Sequence, residues 1–135
     1  MLKKTFVCFV CFPVFIFLSS CASTTVWDDT IPEDQLATIH FNRIDPSGYN
    51  GIPVRKWDNV KIPQGEAAFV ADVNISYAGI MVLVHGMEFA YNFESGKEYS
   101  ITGIAQNMQW GVKIYSGSDS TDYDFVPFKT QPVFR

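Results

Sequence analysis

The stretch EFAYNFESGKEYSIT, residues 88–102, indicates the fold class, because apolar and polar residues alternate through most of it. Every second residue from Phe89 to Phe93 is aromatic, and the residues between them are polar or small. The same alternation continues in KEYSIT, where Tyr99 and Ile101 share one face. A period of two over four to eight residues is typical of a strand buried on one side. The stretch therefore predicts two half-buried strands.

The loop between these strands predicts a β-hairpin. A two-residue loop would place an aromatic residue opposite a glutamate, whereas a three-residue loop, Glu94-Ser95-Gly96, pairs Tyr91 with Tyr99. Three-residue hairpin loops end in a left-handed residue, and Gly96 occupies that position. Register and turn chemistry thus favour the same hairpin.

The rest of the chain indicates further strands. LATIHFN, residues 36–42, alternates in the same way, and IMVLVH, residues 80–85, is apolar enough for a strand covered on both faces. No amphipathic helix of useful length is evident. About seven short strands with frequent turns predict an all-β protein, an antiparallel β-sandwich formed by residues 31–135.

The N-terminus has the pattern of a secretory signal peptide. A cationic MLKK precedes an apolar run from Thr5 to Leu18, which small residues follow. The run is shorter than the roughly 20 residues that span a bilayer, and Pro13 disfavours a rigid helix. An uncleaved anchor is the alternative. Two further cysteines, Cys8 and Cys11, lie inside this run, so we expect no redox or metal role for them.

The exit from the apolar run, Leu18-Ser19-Ser20-Cys21, resembles the lipobox of bacterial lipoproteins. The resemblance implies cleavage between Ser20 and Cys21, a diacylglyceryl group on the Cys21 thiol and acylation of the new amine, for example by palmitate. Two or more acyl chains anchor a protein stably without a spanning helix. Ala22, where an aspartate would signal retention, implies the outer membrane and leaves the periplasmic face and the cell surface open.

The segment from Cys21 to Thr30 is predicted to be a tether between the lipid and the sandwich. Trp27 lies within it. A tryptophan there can lie among lipid headgroups or pack on the domain as its first ordered residue, and we favour packing.

Three further stretches, VWDDTIPEDQLATIHF, IPQGEAAF and FESGKEYSI, resemble a family of small, uncharacterised bacterial lipoproteins that includes spirochaetal members. The resemblance covers most of the mature chain but consists of short structural motifs. It implies an immunoglobulin-like or transthyretin-like sandwich. It implies no catalytic residues.

Composition limits the function classes. Without residues 1–20 the chain has eight Lys and Arg against fourteen Asp and Glu, a formal net charge of −6. Nucleic-acid surfaces are basic, so we expect no nucleic-acid partner. Electrostatic binding to anionic headgroups is disfavoured for the same reason.

The sequence offers no recognisable catalytic constellation, metal motif or cofactor motif. His40 is expected on a polar strand face and His85 at a strand end, and neither has a metal-ligand neighbour at a usual spacing. The acidic stretch around Asp119, Asp122 and Asp124 lacks the EF-hand pattern; a weak calcium site stays open there. We therefore expect a protein that is not an enzyme.

Aromatic residues near turns are the candidate ligand-binding groups, namely Trp57, Trp110 and Tyr115. Exposed aromatic rings stack on sugars or anchor protein partners, although both tryptophans would equally cap the core. The tail, DFVPFKTQPVFR, either wraps the domain as an edge segment or adds to a partner's sheet.

Together these features predict a lipid-anchored envelope protein that binds an envelope or extracellular partner. A glycan-binding module using the loop aromatics is the alternative.

Overall fold

The computed structural model of the protein describes residues 24–132, which form ten β-strands and one turn of 3-10 helix, Glu33–Gln35. The strands are β1 (Thr25–Val26), β2 (Leu36–Asn42), β3 (Ile44–Tyr49), β4 (Ile52–Pro53), β5 (Asn59–Pro63), β6 (Gly65–Tyr77), β7 (Ile80–Phe93), β8 (Glu98–Gln106), β9 (Gln109–Ser116) and β10 (Asp124–Pro127). The signal peptide, the lipobox and Cys21 lie outside the described residues. Within 24–132, no helix has the length and apolar character needed to cross a membrane.

The strands form two sheets packed face to face, which confirms the predicted all-β sandwich. One sheet has six strands in the order β1-β5-β2-β8-β9-β10, and the other has four in the order β4-β3-β6-β7. The expectation of about seven short, antiparallel strands is wrong in detail. β6 and β7 have 13 and 14 residues, and the β1–β5 and β2–β8 pairs are parallel.

The core lies between the sheets and is built by strict alternation. In β6 every second residue from Ala67 to Ile75 is almost fully buried. Phe69 lies at the centre, with its ring centroid 5.5 Å from that of Tyr49 and 5.6 Å from that of Phe89. Burying a side chain of this size stabilises the fold by about 1.5–3 kcal/mol.

The hairpin predicted between residues 88 and 102 is wrong. β7 pairs with β6, and β8 pairs with β2 and β9, so the connection after Phe93 crosses from one sheet to the other. Gly96 does adopt the predicted positive φ, 78°, but its N–H donates to the Leu36 carbonyl of β2. Tyr91 and Tyr99 meet edge to face, 6.0 Å apart, across the two sheets.

The apolar stretch at the start of β7 is not covered on both faces. β7 lies at the edge of the four-stranded sheet, and its outward residues Met81 and Leu83 are each 47% exposed. Their neighbour Val84 is buried in the core. The stretch therefore alternates between core and solvent although its composition does not.

The sandwich begins earlier than residue 31. β1 lies inside the predicted tether and pairs in parallel with β5, with Thr25 opposite Val60. Trp27 packs on the domain, with its ring centroid 4.9 Å from that of Tyr49 and 5.6 Å from that of Trp57. The packing alternative for Trp27 is confirmed.

The described part of the tail, residues 124–132, wraps the domain instead of hanging free. β10 pairs with β9, and the next residue, Phe128, is 3% exposed in the core. The Lys129 N–H donates to the Glu88 carbonyl of β7 at 2.9 Å, so this segment closes the gap between the edges of the two sheets. Pro127 ends the edge strand, where proline costs no ladder hydrogen bond.

Candidate functional site

The three aromatic candidates lie in three separate parts of the fold. Trp57 is 5% exposed in the core cluster with Trp27 and Tyr49, so it is not available to a ligand. Trp110 is half-buried at the far end of β9, where its ring lies 5.2 Å from that of Tyr77. Tyr115 lies near the opposite end of β9. They therefore form no shared stacking platform.

The polar side chains of the six-stranded sheet gather around His40. Its Nδ1 lies 2.5 Å from the Asn59 Oδ1, and its Nε2 lies 3.0 Å from the Glu98 Oε1, both at hydrogen-bond distance. Both ring nitrogens thus face acceptors, the arrangement that favours the doubly protonated imidazolium. The hydrogen bond to Asn59, followed by that to Glu98, raises the pKa of His40 above its ordinary value.

His40 lines a groove of about 530 Å³ on the outer side of this sheet, which we call the histidine groove. Its walls present hydroxyl, carboxylate and ammonium groups: His40, Gly96, Lys97, Glu98, Ser100, Ser116, Gly117 and Ser118. β8 runs in parallel beside β2, which places Ser100 next to His40. β8 and β9 pair antiparallel, which brings Ser116 beside Tyr99.

A second groove, of about 590 Å³, adjoins the histidine groove towards the β5 edge of the sheet, and we call it the edge groove. The two grooves share four residues, His40, Gly96, Lys97 and Glu98. Lys61 forms an ion pair with Glu33 in its wall. The edge groove therefore offers both signs of charge.

A third groove, of about 230 Å³, lies where β7, β8 and β9 approach the start of β10, and we call it the tyrosine groove. Its walls are Tyr91, Glu94, Lys97, Tyr99, Ile114, Tyr115, Ser116, Asp122, Tyr123 and Asp124. The Tyr91 hydroxyl donates to the Asp124 carboxylate, and burial together with this bond raises the pKa of Tyr91. Lys113 Nζ lies 5.3 Å from the Tyr123 ring centroid, a cation–π distance.

Lys97 belongs to all three grooves and links them. Its Nζ lies 3.0 Å from the Glu94 Oε1, and the hydrogen bond to Glu94 raises the pKa of Lys97. Both residues precede β8, in the connection that crosses between the sheets. The crossover that the predicted hairpin missed is therefore what places this cation between the grooves.

The other predicted sites have ordinary structural roles. Asp119 accepts hydrogen bonds from the N–H and hydroxyl of Thr121, and these bonds lower the pKa of Asp119. His85 lies inside β7, not at a strand end, with its Nδ1 3.2 Å from the Asp72 Oδ2 at a β-bulge. In residues 24–132 no three His, Cys, Asp or Glu side chains are grouped to hold a metal ion.

Sequence reasoning missed most of the groove residues, because Glu98 and Ser100 are ordinary outward residues of β8 and Ser116 is an ordinary residue at the end of β9. Only the parallel β2–β8 pairing brings Glu98 to His40, and no local pattern signals that pairing. The outward position of His40 was predicted correctly and was the available clue.

Comparison of the chain with protein-family models, with curated proteins and with solved structures finds no match in any of the three.

Proposed function

We propose that the chain is a lipid-anchored cell-envelope protein whose sandwich binds a polar partner and has no catalytic role. The observation that carries the binding function is the continuity of three polar grooves through one residue, Lys97. Contiguous concave surfaces with a few well-placed polar groups are the usual form of a recognition site.

The chemistry of the grooves favours a partner with both hydrogen-bond donors and acceptors. Glu98 and Glu94 accept, Lys97 donates, and Ser100 does both. A polar segment of another envelope protein, or of an extracellular one, fits this mixture better than a ligand of one charge sign.

The tyrosine groove favours a second candidate, a glycan ligand. Tyr115 and Tyr123 lie there beside Asp122 and Asp124. Aromatic faces next to carboxylates are suited to the apolar face and the hydroxyls of a sugar. The stacking role proposed from the sequence is thus kept for Tyr115 alone, without Trp57.

The proposed anchor rests on the lipobox, Leu18 to Cys21. A lipid on Cys21 would hold the grooves close to the envelope. We propose the outer membrane as the site of anchoring. Protease treatment of intact cells, with detergent-opened cells as control, would determine whether the sandwich faces the periplasm or the medium.

Site-specific photo-crosslinking tests the binding function. A photoreactive residue at Ser100 or Ser118, both in the histidine groove, should give a discrete adduct in cells that Lys97→Glu abolishes. The same group at Asn92, exposed on the other sheet, is the matched control. Equal adducts from all three positions would contradict the assignment of the grooves. Retention of the protein on a glycan column that Tyr115→Ala removes would favour the glycan candidate.

A further inference from the structure

The end of the sandwich opposite Lys97 has an unusual concentration of exposed apolar side chains. Five of the seven large apolar residues exposed among 24–132 lie in or beside the β6–β7 and β8–β9 turns, and we call them the tip patch: Tyr77, Ile80, Met81, Leu83 and Met108. Tyr77, Ile80 and Met108 are 52%, 62% and 100% exposed. Apolar residues exposed singly are ordinary, but a cluster marks an interaction surface.

The two hairpins that carry the tip patch are adjacent and end in tight turns. The Tyr77 and Trp110 rings lie 5.2 Å apart, which joins one hairpin to the other. Both turns have two consecutive residues with positive φ, as in the tight turns that match the twist of paired strands. The patch is therefore a preformed surface.

The two tip hairpins contain no charged residue of their own, although Arg43, between β2 and β3, contacts the tip patch through its Nη1, which donates to the Met81 Sδ at 3.5 Å. Neither the stretch from Val73 to Met87 nor that from Tyr99 to Val112 contains Asp, Glu, Lys or Arg, in a chain with 18% charged residues. Charged side chains are the residues that resist entry into a bilayer, whereas Trp and Tyr prefer its interface. This composition fits a lipid surface.

The first strand, β1, runs away from the tip end of the sandwich. β1 is parallel to β5, and β5 is antiparallel to β2, which is parallel to β8. Since β8 ends at the tip, β1 runs away from the tip, and Thr25 is the residue of β1 nearest to it. In register, Thr25 lies opposite Val60, Val60 opposite Ile39, and Ile39 opposite Tyr99.

Two distances along the strands can be compared, both measured from the level of Thr25 and Tyr99 towards the tip: the distance to the end of β8 and the largest distance that Cys21 can reach. Gln106 lies seven positions beyond Tyr99, which at 3.3 Å per residue is about 23 Å. Cys21 lies four positions before Thr25, and a fully extended chain covers about 14 Å over that distance. The tip therefore extends at least about 9 Å beyond the farthest level that Cys21 reaches along the strands.

We propose that the tip patch is a membrane-contacting surface, which enters the headgroup region of the bilayer that holds the lipid on Cys21. The proposal rests on the proposed anchor and names the bilayer as the occupant of the patch. An overhang of about 9 Å, the value for a fully extended chain from Cys21 to Thr25, agrees with the roughly 5–10 Å to which interfacial apolar surfaces enter the headgroup and acyl boundary. It leaves the polar grooves around Lys97 facing away from the membrane.

Depth-dependent quenching tests this surface on the full-length, processed chain in vesicles of phosphatidylethanolamine and phosphatidylglycerol. Met108→Cys supplies a free thiol for a polarity-sensitive fluorophore, because the Cys21 thiol is acylated in the proposed mature protein. We expect a blue-shifted emission, and quenching by nitroxide-labelled lipids at least about twofold stronger than for the same label at Ser118→Cys, an exposed position at the opposite end.

A second substitution in the Met108-labelled chain tests the rest of the tip patch. Adding Ile80→Asp should lower the quenching towards the Ser118 level. Ile52→Asp, outside the tip patch with 47% exposure at Ile52, is the matched control and should leave it unchanged.

Mass spectrometry of the same sample separates the failure of this proposal from that of the anchor. An acylated Cys21 with an unquenched Met108 label would overturn the membrane-contacting surface and leave the proposed anchor standing. A blue shift without nitroxide quenching would also overturn it, because a second copy or another protein would then cover the tip. An unmodified Cys21 would overturn the anchor and this inference together.

Discussion

At the scale of single residues, two glycines allow the closest approaches in the sandwich. A Cβ on Gly103 would contact Val73 and lie 2.7 Å from the Ile75 Cγ1, and one on Gly111 would overlap the backbone of β10. Real Cβ atoms do not come so close, so β8 can cross β6 only because residue 103 has no side chain. The sequence contains this glycine within a strand pattern, but nothing nearby indicates which strand it meets.

Gly103→Ala should therefore destabilise the fold by about 1–3 kcal/mol, the usual cost of overpacking a filled core. Gly48→Ala is the matched control, because its Cβ would lie 3.4 Å from the Val70 Cβ, an ordinary contact. Urea unfolding of both variants measures the difference. Equal midpoints for the two variants would contradict the close β8–β6 crossing.

His40 makes stability depend on pH. Because folding raises the pKa of His40, its contribution is fully present below about pH 6.5, its ordinary value, and is lost as the pH rises through the raised pKa. The side chain is 41% exposed, so the effect should stay below about 1 kcal/mol. Urea midpoints measured from about pH 5.5 to about pH 8.5 should fall in this way for the wild type and less for His40→Gln. The same slope in both would show that His40 does not carry the effect.

At the scale of elements, the sequence predicted strands better than their partners. The alternation from Phe89 to Ile101 identified the buried residues of β7 and β8, with Tyr91 half-buried, because both strands face the same core. Alternation reports which face is buried but not which strand lies alongside, so a crossover between sheets and a hairpin have the same signature. The candidate site was predicted less well than the strands, because His40 and Glu98 come together only through the β2–β8 pairing.

The segment after β10 is the element that closes the sandwich. Phe128 is 3% exposed and its ring centroid lies 6.5 Å from that of Phe89, whereas Phe125 is only half-buried. Phe128→Ala should cost about 3–5 kcal/mol, as for other buried phenylalanines. Phe125→Ala should cost nearer 1 kcal/mol, a usual value for a less buried position. Thermal or urea unfolding compares the two. A Phe128→Ala variant no less stable than Phe125→Ala would mean that the segment does not close the core.

At the scale of the whole molecule, the two ends of the sandwich differ in chemistry. The tip end carries uncharged, exposed apolar hairpins, and the other end carries the grooves that meet at Lys97. In the proposed account, the lipid and the tip patch hold the domain on the membrane while the grooves face their partner. Because β1 begins only four residues after Cys21, the fold itself limits how far the domain can turn or move away from the proposed lipid.

The proposed orientation requires a lipid on Cys21, and the mass of the N-terminal peptide from the membrane fraction shows whether that lipid is present. We predict a peptide that begins at Cys21 and carries a diacylglyceryl group with further acylation, and we predict that Cys21→Ala abolishes this modification. A chain that retains residues 1–20, or one that begins elsewhere with an unmodified Cys21, would contradict the account.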